Sequence, residues 1–203
     1  MAATTNAGLR GSALALALLV SLAPNAFGAG DAEAGRTVAA GCAGCHGAHG
    51  VSTMPGVPSL AGQTDMFLEW QLVFFRSGRR ANPIMGPLAS GLSDEDIKNI
   101  GAYFSSLPKF GSVKPAESTD TALHARGQAA AAQYHCANCH MDDFTGKKAA
   151  ALLAYQREDY LVHALTDYRD ASRPSTGVAA MNEAASGLSD EDIKALAHYL
   201  SSL

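Results

Sequence analysis

CAGCH, residues 42 to 46, and CANCH, residues 136 to 140, are the two stretches on which the reading of this 203-residue chain turns. Together they hold all four of its cysteines, and each cysteine pair is followed directly by a histidine. Paired cysteines in an exported protein ordinarily suggest disulfides, and two C-x-x-C pairs also suit a four-thiolate zinc site. Neither alternative needs a histidine after each pair. C-x-x-C-H is instead the attachment motif of a c-type haem. Two thiols about one helical turn apart can add across the two vinyl groups of one porphyrin. The histidine then lies under the iron as proximal ligand. The expected cofactors are therefore two covalent haem c groups. One is held by Cys42, Cys45 and His46, the other by Cys136, Cys139 and His140.

Working outward, the chain repeats. GLSDEDIKNIGAYFSSL, residues 91 to 107, returns as GLSDEDIKALAHYLSSL, residues 187 to 203, an offset of 96, while the cysteine motifs are offset by 94. Duplication is the simplest account. It gives a leader at 1–28, a first domain at 29–107, a linker at 108–121 and a second domain at 122–203. The linker PKFGSVKPAESTDT is marked by its prolines, glycine and polar residues.

The repeated segment predicts a helix capped by Ser93 or Ser189, with three acidic residues at its positive end. Ile97, Ile100, Tyr103, Phe104 and Leu107 recur at helical spacing and predict one buried face, as do Ile193, Leu196, Tyr199, Leu200 and Leu203. Further helices are predicted over about 32–40 and 63–75, and over about 123–134 and 157–168 in the copy. Sustained strand alternation is absent, so the fold class is all-α, two tandem domains with one haem each. Domains of about 80 residues bury little surface by themselves. The porphyrin is expected to complete each core, and haem-free protein is expected to be unfolded or molten.

The leader carries one charge, Arg10, then the apolar run SALALALLVSLA at 12–23, Pro24, and small residues at Ala26 and Gly28. That order reads as a Sec signal peptide cut after Gly28. The run falls short of the roughly 20 residues that span a bilayer. Without Arg10, 14 basic residues face 19 acidic ones, a mature charge of −5. No basic stripe favours nucleic acid. An acidic balance suits encounter with a positively charged protein surface.

The sixth iron ligand decides what such a site can do. Methionine raises the potential and closes the last coordination position, which suits electron transfer. Met85 and Met181 stand 96 residues apart, the same offset as the C-terminal helix, in what reads as a loop just before it. They are the expected ligands. Met54, Met66 and Met141 lack a methionine partner in the other copy, and His49, His124, His135, His163 and His198 lack a histidine partner. These read as surface or packing residues. Arg80 and Arg173 read equally well as haem-propionate partners and as solvated side chains.

CAGCHG, PSLAGQ at 58–63, GRRANPIM at 78–85 and the SDEDI helix together resemble the cytochrome c4 family of dihaem cytochromes, over essentially the whole mature length. The resemblance implies two cytochrome c folds with their haems facing across an interface, and electron transfer in the bacterial periplasm toward a terminal oxidase. The second half departs from the pattern. Ala151 stands where Pro58 does, VAAM at 178–181 replaces NPIM, and the stretch from arginine to methionine is three residues longer. In such cytochromes a proline carbonyl there often receives the proximal histidine's N–H; a backbone carbonyl can accept it without proline, though less rigidly held. The looser strap before Met181 is expected to expose the second haem more or weaken its iron–sulfur bond, so that the two haems differ in potential and the second is the more easily perturbed. The rival reading is the cytochrome subunit of a sulfur-oxidising flavoenzyme or dehydrogenase. A dihaem peroxidase would need an accessible iron, which two methionine ligands deny.

Overall fold

The computed structural model describes residues 1–3, 30–111, 120–175 and 180–203. Residues 4–29, with most of the expected signal peptide and its cleavage point, the centre of the linker, and residues 176–179 lie outside the described residues.

The first repeat contains α1 (Ala32–Val38), a 3-10 turn (Ala39–Cys42), α2 (Ala43–His46), α3 (Asp65–Arg76), α4 (Met85–Ser90) and α5 (Asp94–Ser106). The second contains α6 (Thr121–Gln133), α7 (Ala137–His140), α8 (Glu158–Arg169), α9 (Ala180–Ala185) and α10 (Asp190–Ser201). Among the described residues there is no strand, only an isolated bridge between Lys147 and Ala150.

Side-chain caps start α1, α5, α6 and α10. The Asp31 carboxylate accepts from the Glu33 and Ala34 amides to open α1, and Asp120 accepts from Leu123 to open α6. Ser93 and Asp96 exchange side-chain and backbone bonds in a full capping box at α5. Ser189 accepts from the Asp192 amide at α10.

In each repeat the first and last helices cross with their backbones touching. A Cβ added to Gly35 would lie 1.9 Å from the Asn99 carbonyl oxygen, and one added to Gly127 would lie 2.1 Å from that of Ala195. Only glycine allows that approach. The helix before the distal segment is tied to the last one by the same device twice. Arg76 reaches Asp94 at 2.6 Å and the Leu92 carbonyl, and Arg169 reaches Asp190 at 2.6 Å and the Leu188 carbonyl.

The contiguous buried core of the first domain is Ala39, Leu68, Ile100 and Phe104. That of the second runs further, through Phe144, Leu152, Leu161, Tyr168, Ile193, Leu196 and Leu200. It also takes in Phe110, which the sequence places in the linker. The Phe110 amide donates to the Ala61 carbonyl, so this residue touches both domains.

The methionines sit differently from the expectation. Met85 opens α4 and Met181 is the second residue of α9, so both lie in short helices and not in loops. The Asn82 side chain accepts from the Ile84 and Met85 amides and turns the chain into α4. Six residues are too few for apolar periodicity to announce a helix.

Candidate haem-binding sites

The 3-10 turn delivers Cys42, half-buried, and α2 carries Cys45, exposed, and His46, 8% exposed. Cys136 stands at the start of α7, with Cys139 exposed and His140 only 6% exposed. Each set of two thiols and one imidazole is thus brought together within about a helical turn, as its spacing implies. Burial pushes the Cys42 and Cys136 thiols up from their ordinary value.

The ring orientation is fixed on both sides. His46 Nδ1 lies 2.8 Å from the Pro58 carbonyl oxygen, and His140 Nδ1 lies 2.8 Å from that of Ala151. A carbonyl only accepts, so Nδ1 carries the proton and Nε2 presents its lone pair. Burial holds both rings below the ordinary histidine value, with the carbonyl bond pulling partly back. Each is therefore a neutral imidazole with the tautomer that ligates a metal through Nε2. With alanine in place of proline the bond has the same length, so the hydrogen bond survives the exchange.

Met85 and Met181 are both half-buried. Helix α4 packs on α3, and α9 packs on α8. The second methionine has an anchor the sequence reading missed. Asn182 donates from Nδ2 to the Tyr168 and Arg173 carbonyls and accepts from the Ser175 amide and hydroxyl. Its counterpart in the first domain is Gly86, so comparison of the repeats gave no signal for it.

Arg80 and Arg173 meet where the domains join. Arg80 donates to Gln71 Oε1 at 2.7 Å, and Arg173 donates to the same oxygen at 2.9 Å and to the Tyr160 hydroxyl at 3.2 Å. Arg173 is 2% exposed. Among the described residues neither arginine forms an ion pair, and the buried donors Arg173 Nε and Gln71 Nε2 lack an acceptor. Burial pushes the Tyr160 hydroxyl up, but the two guanidiniums more than reverse this and bring it to about 8. A buried guanidinium whose Nε has no acceptor calls for an anion.

A haem c fits what is present: two thiols for its vinyls, a neutral Nε2 for its iron, and at the domain junction an orphaned guanidinium donor, Arg173 Nε, suited to its carboxylates. The comparisons agree. The family described as Cytochrome c matches residues 124–203, and that described as Cytochrome C oxidase, cbb3-type, subunit III, matches residues 29–104. Cytochrome c4 of Pseudomonas aeruginosa is 35% identical over 195 residues, spanning 94% of this chain and 97% of that protein. The thiosulfate dehydrogenase electron acceptor of Stutzerimonas stutzeri is 32% identical over 154 residues, 73% of this chain and 71% of that protein. The crystal structure of reduced recombinant cytochrome c4 from Pseudomonas stutzeri superposes with a TM-score of 0.77 at 32% identity, covering 86% of this chain and 100% of that one. The two cytochrome c domains, each with its own attachment motif, make this an all-α dihaem electron-transfer protein, and the chain belongs to the cytochrome c4 family.

Proposed function

We propose that this protein is an exported periplasmic carrier that passes single electrons between respiratory partners, ending at a terminal oxidase, and is not itself an enzyme. In this reading the signal peptide is 1–28, the domains are 29–107 and 122–203, and 108–121 links them. Cys42 and Cys45 would attach the first haem, with His46 and Met85 holding its iron. Cys136 and Cys139 would attach the second, with His140 and Met181 holding its iron. When bound, each haem supplies one-electron chemistry at a closed iron.

The observation that carries the proposal is the matched pair of proximal rings, each buried and oriented by a 2.8 Å carbonyl bond. A fixed neutral imidazole needs little rearrangement when charge arrives or leaves. Cys42 and Cys45 would hold the porphyrin by that ring, and Met85 would close the iron to other ligands. Arg80 and Arg173 would neutralise haem carboxylates, which would keep buried negative charge from destabilising the pair. Among the described residues no helix is long and apolar enough to cross a membrane.

Reduced protein mixed with oxidase-containing membranes should be reoxidised at a rate that falls as salt rises, because the acidic mature chain is steered to a basic surface. Failure to be reoxidised by any such membrane would refute the carrier reading. A second reading has its own support: the similarity to a protein named as the electron acceptor of thiosulfate dehydrogenase. A stable dehydrogenase or flavoprotein companion through purification would favour a dedicated subunit. Steady peroxidase turnover by intact protein would revive an enzyme.

A further inference from the structure

The peptide groups that hold the proximal histidines each have a second polar end. The Pro58 carbonyl and the Ser59 N–H belong to one peptide unit. Its oxygen accepts from His46 Nδ1 at 2.8 Å, while its N–H donates to Gln156 Oε1 of the other domain at 2.9 Å. The Ala151–Leu152 peptide repeats this. Its oxygen accepts from His140 Nδ1 at 2.8 Å and its N–H donates to Gln63 Oε1 at 2.6 Å. Each glutamine closes a second bond, from Nε2 to the Ser59 or Leu152 carbonyl, at 2.9 and 3.0 Å. Gln63, Gln156, Ser59 and Leu152 are all 4% exposed or less, so water does not compete for these bonds.

Hydrogen bonds in series polarise one another. A peptide that donates from its N–H is a better acceptor at its oxygen. A better acceptor on the far nitrogen makes a ligating imidazole more basic. We propose that Gln63 and Gln156 are positioning residues that act crosswise: Gln156 tunes the first haem through Ser59, Pro58 and His46, and Gln63 tunes the second through Leu152, Ala151 and His140. The inference rests on His46 and His140 being the proximal ligands. A more basic imidazole favours ferric iron, so each glutamine lowers the potential of the haem in the opposite domain. The fastening of the two domains and the tuning of their haems are then one set of bonds.

The test is potentiometric titration of holoprotein carrying Gln156→Leu or Gln63→Leu, each wave assigned through the methyl resonance of its own axial methionine. Gln156→Leu should shift the first-domain haem toward the reduced form by about threefold, roughly 28 mV at 59 mV per tenfold, and leave the second in place. Gln63→Leu should do the reverse. Simple loosening of the interface would wet both haems, favour the ferric charge and lower both potentials together, and that result would overturn the relay, as would unmoved potentials. Should the variants fail to fold, hydrogen exchange on the wild type decides. The Ser59 and Leu152 amides should be as protected as those of α5 and α10, and surface-like exchange would refute the proposal. The methionine–iron charge-transfer band, read on the same samples, separates the two failures. Its absence from wild type would remove the axial-ligand reading, whereas an intact band with unmoved potentials would remove only the relay.

Discussion

Gly47, Gly50, Gly62 and Gly78 of the first domain have positive φ, between 67° and 85°. The matching places in the second domain are just as left-handed, but they hold Met141, Phe144, Tyr155 and Ala171, with φ between 55° and 70°. A side chain in this region costs roughly 1–2 kcal/mol per residue. The backbone keeps its shape because the same bonds demand it. The Leu60 and Ala61 amides both donate to the Gly50 carbonyl, as those of Leu153 and Ala154 donate to Phe144. Phe144 offsets its strain by burial. It is 4% exposed and meets the Tyr199 ring edge-on at 5.8 Å, and burying such a side chain contributes about 1.5–3 kcal/mol. Ala171 and the partly exposed Met141 have no comparable gain. The loops around the cofactor fix the backbone, then, and the two copies have drifted in which side chains they place upon it. The second stores more strain and spreads a larger apolar core.

The largest expected effect comes from withholding a haem. With Cys42→Ala and Cys45→Ala, the first domain should lose its cooperative melt and most of its helix signal, since its own core is small. With Cys136→Ala and Cys139→Ala, the second should retain part of its helix signal, because α6, α8 and α10 still share an apolar core. Circular dichroism reads both, and equal losses would break the comparison.

Next in size are the axial methionines. Met85→Leu and Met181→Leu should each remove about half of the methionine–iron band and lower one potential by at least tenfold in equilibrium, about 59 mV. Asn182 anchors the segment that carries Met181, so Asn182→Ala should lower the pH at which alkali displaces Met181 and leave Met85 unaffected. An unchanged alkaline transition would show that this network is idle.

Backbone strain gives smaller, opposite shifts. A Cβ at Gly78 would meet no atom within 4 Å, so Gly78→Ala isolates the conformational cost and should destabilise the protein by about 1 kcal/mol. Ala171→Gly should give back part of the same amount, less the extra chain entropy of glycine. Denaturant melts with the same sign for both would contradict the left-handed pairing.

The smallest difference concerns the helix caps. Ser93→Ala and Ser189→Ala should each cost about 1 kcal/mol, with no preference between domains. The serine bonds hold the Asp96 and Asp192 carboxyls below their ordinary value. That contribution is present above the unfolded value of about 3.9 and is lost as pH falls through the lower folded value. The gap between variant and parent should therefore close in acid, which thermal melts across that range would check.

Much of the fold was legible from spacing alone. The attachment motifs and the repeat with its capped helix declare themselves through residue identity at fixed offsets, and the same offset singles out Met85 and Met181 as the expected ligands. The short helices α4 and α9 did not, because a single turn has no period and α4 is opened by one asparagine side chain. The exchange of Pro58 for Ala151 keeps the proximal bond, as a backbone carbonyl can accept without proline. Gln63 and Gln156 stand at matching places in the two repeats, but a glutamine at a matched position does not say which domain it will grip. Asn182 was invisible, since its function depends on carbonyls of Tyr168 and Arg173 that only the fold brings near.

The account stands on two saturated irons. Purified holoprotein titrated with an external ligand such as cyanide at neutral pH, while the methionine–iron band is followed, tests this most directly. Two haems per chain, a full band for both, and little ligand uptake are the predicted result. Ready binding at either iron, or a band corresponding to one haem only, would contradict it.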